Sequence, residues 1–391
     1  MQKILTNNNE IQLANHVLQL VFLGSSGFRF PFAHFPTKQI SASELYLIFR
    51  KAVKMLALYG FVVRYVSMDG AQTNRDFMKM LLLKNKKTDT LQSMLVTNIF
   101  RPSLPKISII MDYSHVVKKI RNNCCKSGLR SVHKRKLFLR SSLIIWDHWV
   151  QAFQWDVSEN PYPIHRKLTH EHFFLTSESK MRNHLAEDVL DKNMLHLMSC
   201  YRNSLSDATK SAELRGTIEF LQQTSVLVKI FRDGRPIKDY GDDRLQQNRD
   251  VLSWFKRWEH ENKSNNEVTE KEKSLLSFQC REDIVSLLVG FDEFSREKLQ
   301  KSGGSIIPNR INSDVIENVF SQQRGVHNGN NSNPTYQHYC NSMNSIILGE
   351  TPISRKSNTG GSAGGKCEPF HLKRKSNSSS TNALPVHVPK M

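Results

Sequence analysis

Two apolar stretches that each end on an aspartate place the strongest limit on what this chain can fold into. The run FVVRYVSM at 61–68 is followed by Asp69, and the run ISIIM at 107–111 is followed by Asp112. Both runs have the length and composition of buried β-strands. Because ligands and reacting groups gather where the strands of an α/β sheet end, we expect a functional cleft near these two carboxylates.

The segments around the two strands complete an α/β pattern. LANHVLQLVFL at 13–23 is apolar, and GFRFPFAHFPT at 27–37 alternates as a strand does. SASELYLIFRKAVKMLALYG has helical spacing, with Ser41 or Ser43 available as the N-cap and Gly60 just past its end. A further helix is predicted from about Arg75. The order strand, strand, helix, strand, helix, strand predicts a mixed sheet of the α/β class.

The pattern changes near residue 140, where helical periodicity replaces strands. No convincing strand occurs between 150 and 300, and the sequence after Leu348 is too rich in Ser, Gly, Asn and Lys to form a core, which predicts disorder. The segments with helical spacing are 139–155, 181–200, 206–232 and 246–258. The resulting division is an α/β part over 1–140, a helical part over 141–305, a return to the first part over 306–350 and a basic tail over 351–391.

The charge balance predicts a polyanionic partner. The chain has 55 Lys and Arg against 36 Asp and Glu, a formal net charge of +19. Nucleic acid is the commonest partner of such a surplus, although a solvated basic surface is the plain alternative. Six cysteines without paired zinc-ligand spacing fit a reducing compartment. No apolar run near the start is long enough to span a bilayer, so we expect an intracellular protein that is not embedded in a membrane.

The stretch MDYSHVVKKIRNN at 111–123 combines a carboxylate with basic side chains. If a helix begins near Tyr113, His115, Lys118 and Lys119 share one face of it. A basic face beside Asp112 is suited to gripping phosphate. The alternative is an N-cap followed by an ordinary basic surface helix, and Asp69 can likewise be a simple helix cap.

The stretch NSDVIENVFSQQRGVHNGNNSNPTYQHY at 312–339 has Asp314 and Glu317 three residues apart. This spacing places both carboxylates on one side of a helix, which would then give way to a Gly/Asn-rich loop before Pro334. In isolation, the pair fits a solvated helix start that is stabilised by the helix dipole. The chain lacks the glycine-rich sequence of a phosphate-binding P-loop.

Taken in order, four stretches resemble the P-element-type transposases, the group that includes the THAP-domain transposases. The first two are LANHVLQLVFLGSSGFRFPFAHFPT, similar to the family's strand pair, and SMDGAQTNRDFMKML, similar to its strand-end Asp motif. The others are IMDYSHVVKKIRNN, similar to its D-x-x-H-x-x-K-x-x-R-N motif, and DVIENVFSQQRGVHNGNNSNPTYQHY, similar to its glutamate helix. The resemblance covers about residues 13–350.

The resemblance implies a ribonuclease-H-like fold interrupted by an all-helical, GTP-binding insertion at 141–305. It implies cut-and-paste DNA transposition with Mg²⁺ or Mn²⁺ held by three carboxylates. Asp69 would be the second of these and Glu317 the third, on a helix within 306–350, with Asp112 as a further candidate ligand. Asp314 would contact the guanine nucleotide or support the site. The side chains expected to line the cleft are His115, Lys118, Arg121 and Arg324.

Departures from the family pattern leave the activity open. The family's first catalytic Asp lies on a first strand, and MQKILTNNNEIQ contains no Asp. We therefore expect an N-terminally truncated chain without that strand and without the zinc-binding THAP domain. One hypothesis is a nuclear transposase-derived protein that acts on transposon ends and target DNA, as a homo-oligomer. The alternatives are a non-catalytic DNA-binding or regulatory remnant of a domesticated transposase, and a product that does not fold stably.

Overall fold

The structure is a computed structural model that describes residues 3–5, 11–25, 28–82, 93–128, 135–140, 142–325 and 334–348. Its strands are β1 (Lys3–Leu5), β2 (Ile11–Leu13), β3 (His16–Leu23), β4 (Arg29–Thr37), β5 (Tyr65–Met68), β6 (Leu95–Val96), β7 (Ile107–Met111), β8 (Leu137–Leu139) and β9 (Ser142–Ile144). Its helices are α1 (Ala42–Leu58), α2 (Gln72–Leu81), α3 (Tyr113–Cys124), α4 (Asp147–Glu159), α5 (Asn183–Asp188), α6 (Lys192–Ser204), α7 (Ala208–Glu213), α8 (Arg215–Arg232), α9 (Asp243–Ser264), α10 (Phe278–Lys301), α11 (Asp314–Gly325) and α12 (Tyr336–Leu348). Within these ranges, none of the helices has the length and apolar character needed to cross a membrane.

The fold is of the mixed α/β class, as predicted, but the described strands form several small sheets and not one mixed sheet, because β3 and β4 pair only with each other. The apolar runs near the start become the antiparallel pair β3–β4, with one irregularity in register between Leu20 and Val21. The central sheet has the order β5–β7–β6, in which β5 runs parallel to β7 and β6 runs antiparallel to it. All five residues of β7 are buried, as its unbroken apolar run predicts. β5 is shorter than the predicted strand 61–68, because only the last four residues of that predicted strand pair with β7.

Helix α1 begins where its sequence predicts. The Ser41 hydroxyl accepts from the Glu44 N–H at 3.2 Å, and the Glu44 carboxylate accepts from the Ser41 N–H at 2.7 Å. This reciprocal capping box satisfies two backbone donors that a helix start leaves unpaired. The helix gives way at Gly60, whose φ of 83° lies in the left-handed region that glycine adopts without strain. α1 packs against α2, which starts three residues before the predicted Arg75.

Helices α4 to α10 all lie between residues 147 and 301. Of these, α10 packs directly on β7. The Ser108 hydroxyl donates to the Gly290 carbonyl at 2.6 Å. A Cβ added at Gly290 would lie 2.2 Å from the Ile109 carbonyl oxygen. The two backbones therefore approach too closely for any side chain at this position, and the helical part is fixed against the central sheet.

One sequence prediction is wrong in this region, and one helix was not predicted. The segment 139–155 was expected to be helical throughout, but the β8–β9 hairpin occupies its beginning and the helix starts at Asp147. The hairpin depends on distant partners, since the Phe138 N–H donates to the Ser274 carbonyl at 2.9 Å. The expected boundary at 140/141 falls between its two strands. Helix α10 was not recognised at all, although it contacts β7, α3 and α9.

One continuous apolar core joins the sheet to the helices. It includes Ile109 of β7, Trp149 of α4, Phe220 of α8 and Phe291 of α10, each completely buried. A smaller cluster joins α11 and α12 to the β3–β4 pair. In that cluster the Tyr339 hydroxyl donates to Gln19 of β3 at 2.6 Å. The last helices therefore return to the part of the fold with which the chain begins. The predicted loop at 325–333 lies almost entirely, and the predicted disordered tail wholly, outside the described residues.

Candidate functional site

The two strand-end aspartates lie at the same edge of the central sheet. β5 and β7 are parallel and in register, with Met68 beside Met111, so Asp69 and Asp112 leave the sheet side by side. The Asp112 N–H donates to the Met68 carbonyl at 2.8 Å, which extends the pairing to the end of the strands. The expectation that both carboxylates stand where strands end is confirmed.

Asp69 is held in a tight turn before α2. Its Oδ1 accepts from the Ala71 N–H at 2.9 Å and from Asn74 Nδ2 at 2.8 Å. Asn74 Nδ2 also approaches the Asp69 carbonyl at 3.2 Å. The side chain is half-buried and faces a large cavity. Asp69 therefore makes the local hydrogen bonds of a helix cap. Its side chain can also contact a ligand bound in that cavity.

Asp112 is fully buried, and each of its two carboxylate oxygens accepts a hydrogen bond from a backbone N–H. Oδ2 accepts from the His115 N–H at 3.0 Å, and Oδ1 accepts from the Ser313 N–H at 2.7 Å. Burial raises the pKa of Asp112, while His115 and these N–H groups oppose the rise. The side chain is not part of the cavity lining. This arrangement favours the helix-cap alternative for Asp112 over the role of metal ligand.

Glu317 is presented by α11 to a group of basic side chains. His115 Nε2 lies 3.7 Å from Glu317 Oε1, so the two motifs quoted from distant parts of the sequence meet here. The nearby His115 imidazole lowers the pKa of Glu317, and the charges of Lys118 and Arg324 act in the same direction. Glu317 is therefore kept ionised. Of the basic face predicted on α3, His115 and Lys118 act on this carboxylate, whereas Lys119 reaches Asp283.

Asp314 faces the helical part of the fold. Its Oδ2 accepts from Asn312 Nδ2 at 2.8 Å, and Oδ1 lies 3.4 Å from the Ser114 hydroxyl. Burial raises the pKa of Asp314 to about 6, and the neighbouring carboxylates of Asp112 and Glu317 add to the rise. Asp314 is thus neither solvated, as an ordinary helix start would be, nor part of the cavity lining.

A cavity of about 1140 Å³ separates the β3–β4 pair from the central sheet. Asp69, His115 and Glu317 line it, together with apolar side chains of β3, β5, α1 and α11. Lys118 is buried near Glu317 and does not reach the cavity wall. Arg121, expected in the cleft, is instead fully buried and donates to the Lys180 carbonyl at 2.8 Å. Its position on the far side of α3 places it against the helical part.

The described carboxylates do not form a closed protein cage for a metal ion. In the described ranges, no three side chains of His, Cys, Asp or Glu are arranged to hold a metal ion. Asp69 and Glu317 nevertheless offer hard oxygen ligands to one cavity. Mg²⁺ is commonly held by one or two carboxylates, with phosphate oxygens and water completing its shell. The donor set therefore suits an ion that is bound together with a phosphate.

A buried charge cluster behind Asp69 was missed by the sequence reading. Asp283 of α10 accepts from Arg75 Nε at 3.0 Å and from Arg75 Nη2 at 3.1 Å. Lys119 of α3 also donates to Asp283, and to the Gly70 carbonyl at 2.9 Å. The spacing of Ile284, Leu287, Leu288 and Phe291 is a signal for the helix itself. Nothing in the local sequence indicates which distant groups Asp283 meets.

Comparisons with known proteins agree with the resemblance read from the motifs. Residues 2–82 match the family model described as "TNP-like, RNase H N-terminal domain". The whole fold is similar to a solved chain titled "Drosophila P element transposase strand transfer complex", with a TM-score of 0.68. The sequences are 16% identical, and the match covers 89% of this chain and 74% of that chain. At this identity the likeness shows a shared fold. No curated protein sequence matches the chain.

Proposed function

We propose that this protein is related to the transposases that cleave and join DNA, with Asp69 and Glu317 as its reactive-site carboxylates. The observation that carries the proposal is that these two side chains, from distant parts of the chain, line one cavity. The family model over residues 2–82 and the fold shared with a transposase in a strand transfer complex support it. In finer terms, we propose a ribonuclease-H-like core with the helices of 141–305 as an insertion, related to the THAP-domain transposases.

Mg²⁺ or Mn²⁺ is the proposed cofactor, with Asp69 and Glu317 as its protein ligands. The chemistry that such ions supply in phosphoryl transfer is stabilisation of the attacking and leaving oxygens. The other side chains prepare the site. His115 lies 3.7 Å from Glu317 and, with Lys118 and Arg324, favours its ionised form. Asn74 and the Ala71 N–H orient Asp69.

The proposed partners follow from charge and from the buried acids. A net charge of +19 suits binding of transposon ends and target DNA, and we place the protein in the nucleus as a homo-oligomer. GTP is the second proposed ligand. A carboxylate accepts hydrogen bonds from the donor edge of guanine, and Asp314 is the candidate for this contact. It lies close enough to Arg232 of α8 for that charge to oppose the rise in its pKa that burial causes.

The second candidate is a DNA-binding or regulatory protein that does not cut. It is favoured by the finding that no three metal-ligating side chains converge in the described parts of the chain. Such a protein would retain the basic surface and the shared fold but would not catalyse DNA cleavage. A protein of this kind would bind DNA normally and leave it intact with either Mg²⁺ or Mn²⁺.

The test compares Asp69→Ala and Glu317→Ala with the wild type in DNA binding and in DNA cleavage with Mn²⁺ or Mg²⁺. We expect each variant to lose cleavage by at least ~100-fold while keeping its DNA affinity, because residues of one reactive unit act together. Asp76→Ala is the matched control, since Asp76 is an exposed carboxylate on α2. Cleavage that survives in either variant would overturn the assignment. A wild type that binds DNA without cutting it would favour the second candidate.

A further inference from the structure

The turn that carries Asp69 is fixed by three charged side chains from three helices. Arg75 of α2 and Asp283 of α10 are almost completely buried, with side-chain exposures of 5% and 1%. Lys119 of α3 completes the group by reaching both Asp283 and the Gly70 carbonyl. A buried carboxylate paired with two cations is strongly held, because losing it would leave the cations uncompensated.

Gly70 shows how closely this group is fitted to the turn. A Cβ at Gly70 would lie 2.0 Å from Lys119 Nζ, 2.3 Å from Asp283 Oδ2 and 3.0 Å from Arg75 Nη2. All three charged groups therefore touch the residue directly after Asp69. A glycine in the small-residue turn GAQTN is required by this contact, since any side chain would displace the cluster.

We infer that Asp283 is a positioning residue for Asp69, through which helix α10 sets the geometry of the reactive carboxylate. The inference rests on the proposed function of Asp69. Asp283 holds Lys119 at the place where its ammonium group reaches the Gly70 carbonyl, and it holds Arg75 at the first turns of α2. The hydrogen bonds of Asp69 to Ala71 and Asn74 depend on that same turn. Asp283 contacts neither DNA nor metal in this scheme.

Neutralising Asp283 has a specific expected effect. In Asp283→Asn the side chain keeps its size, but the Arg75 guanidinium and the Lys119 ammonium are left as uncompensated like charges within the buried group. Their repulsion moves Lys119 away from the Gly70 carbonyl, and the turn loses its tether. The Ala71 N–H is the direct reporter, because it donates to Asp69 Oδ1.

The experiment measures amide hydrogen exchange over 65–76 and Mn²⁺ affinity in the full chain. For Asp283→Asn we expect exchange of the Ala71 amide to accelerate at least ~10-fold, and Mn²⁺ affinity to fall by about tenfold. Glu282→Gln is the matched control, because Glu282 joins α10 to α2 through Lys79 at 3.2 Å without reaching the turn. Lys119→Met is the second variant. It removes the links of Lys119 to Gly70 and to Asp283 but leaves the Arg75–Asp283 pair in place, and it is used if Asp283→Asn does not fold.

The outcomes separate this inference from the proposed function. Faster exchange in Asp283→Asn or Lys119→Met, with the Glu282→Gln control unchanged, supports the positioning role. Equal exchange in the control and in both test variants overturns it. If the wild type binds no Mn²⁺, the proposed metal role of Asp69 fails, while the exchange measurement still decides whether Asp283 positions the turn.

Discussion

Asp112 accepts a hydrogen bond from the backbone N–H of Ser313 at 2.7 Å, which joins the end of β7 to the start of α11. The other oxygen of Asp112 caps α3. One buried carboxylate therefore fixes the helix that carries His115 relative to the helix that carries Glu317. The contact between His115 and Glu317 at the cavity wall depends on this link.

Asp112→Asn should destabilise the protein by about 1–3 kcal/mol, because an amide replaces one acceptor with a donor that faces a buried N–H. Urea denaturation measures the loss. Asp207→Asn is the control: Asp207 accepts from the Thr209 N–H at the exposed start of α7, where water replaces a lost partner. Equal losses in both variants would contradict the linking role of Asp112.

Stability should depend on pH through Glu187, which is buried beside Arg232. Burial raises the pKa of Glu187 from 4.5 to about 7, against the opposing effect of Arg232. The folded state then binds the proton more tightly than the unfolded state. The resulting stabilisation is complete below pH 4.5 and is lost as the pH rises to about 7, an effect of about 3 kcal/mol.

Denaturation of the wild type and Glu187→Gln at pH 4.5, 6 and 8 tests this dependence. The variant should lose less stability than the wild type as the pH rises, since glutamine does not titrate. Identical pH profiles for the two proteins would show that Glu187 titrates at the same pH in the folded and unfolded states.

Gly290→Ala should destabilise the fold by about 1–3 kcal/mol or more, because the added methyl group meets backbone that cannot rotate away. Its Cβ would stand 2.2 Å from the Ile109 carbonyl oxygen. Thermal unfolding measures the effect. Gly234→Ala is the control, since its nearest neighbour is the movable Asn309 side chain at 3.2 Å. A neutral Gly290→Ala would contradict the close packing of α10 on β7.

DNA binding should weaken steeply with salt if the net charge of +19 acts on phosphates. A footprint of roughly five phosphate contacts predicts an affinity loss of about 20-fold for a doubling of the salt concentration. Fluorescence anisotropy with a labelled duplex measures the slope. A flat salt profile would point to a different kind of contact.

The parts of the fold that the sequence predicted are those that local chemistry determines. The capping box at Ser41, the buried strand ending on Asp112 and the helix start at Tyr113 each depend on neighbouring residues. The β8–β9 hairpin was missed because it is stabilised by contacts with remote segments, whereas α10 was not predicted although its apolar residues have helical spacing. The hairpin bonds to the backbone at Ser274, and α10 is shaped by its contact with Ile109.

The candidate site likewise has one part that the local sequence predicts and one part that depends on remote contacts. The strand-end position of Asp69 was readable from the apolar run before it, whereas the cluster behind it depends on Asp283, which is 208 residues from its partner Arg75. The resemblance placed Arg121 in the cleft with His115, but Arg121 is buried against the helical part of the fold. Spacing describes one helix, and it carries no information about which side the rest of the fold covers.

The assignment of Asp69 and Glu317 is tested most directly by Mn²⁺ binding, measured by electron paramagnetic resonance with a short DNA duplex present. We expect the wild type to bind the ion, and Asp69→Asn and Glu317→Gln each to weaken the affinity at least tenfold, because one of two ligands is lost. Asp76→Asn should bind as the wild type does. Wild-type affinity in both Asp69→Asn and Glu317→Gln would contradict the claim that these two carboxylates form the reactive site.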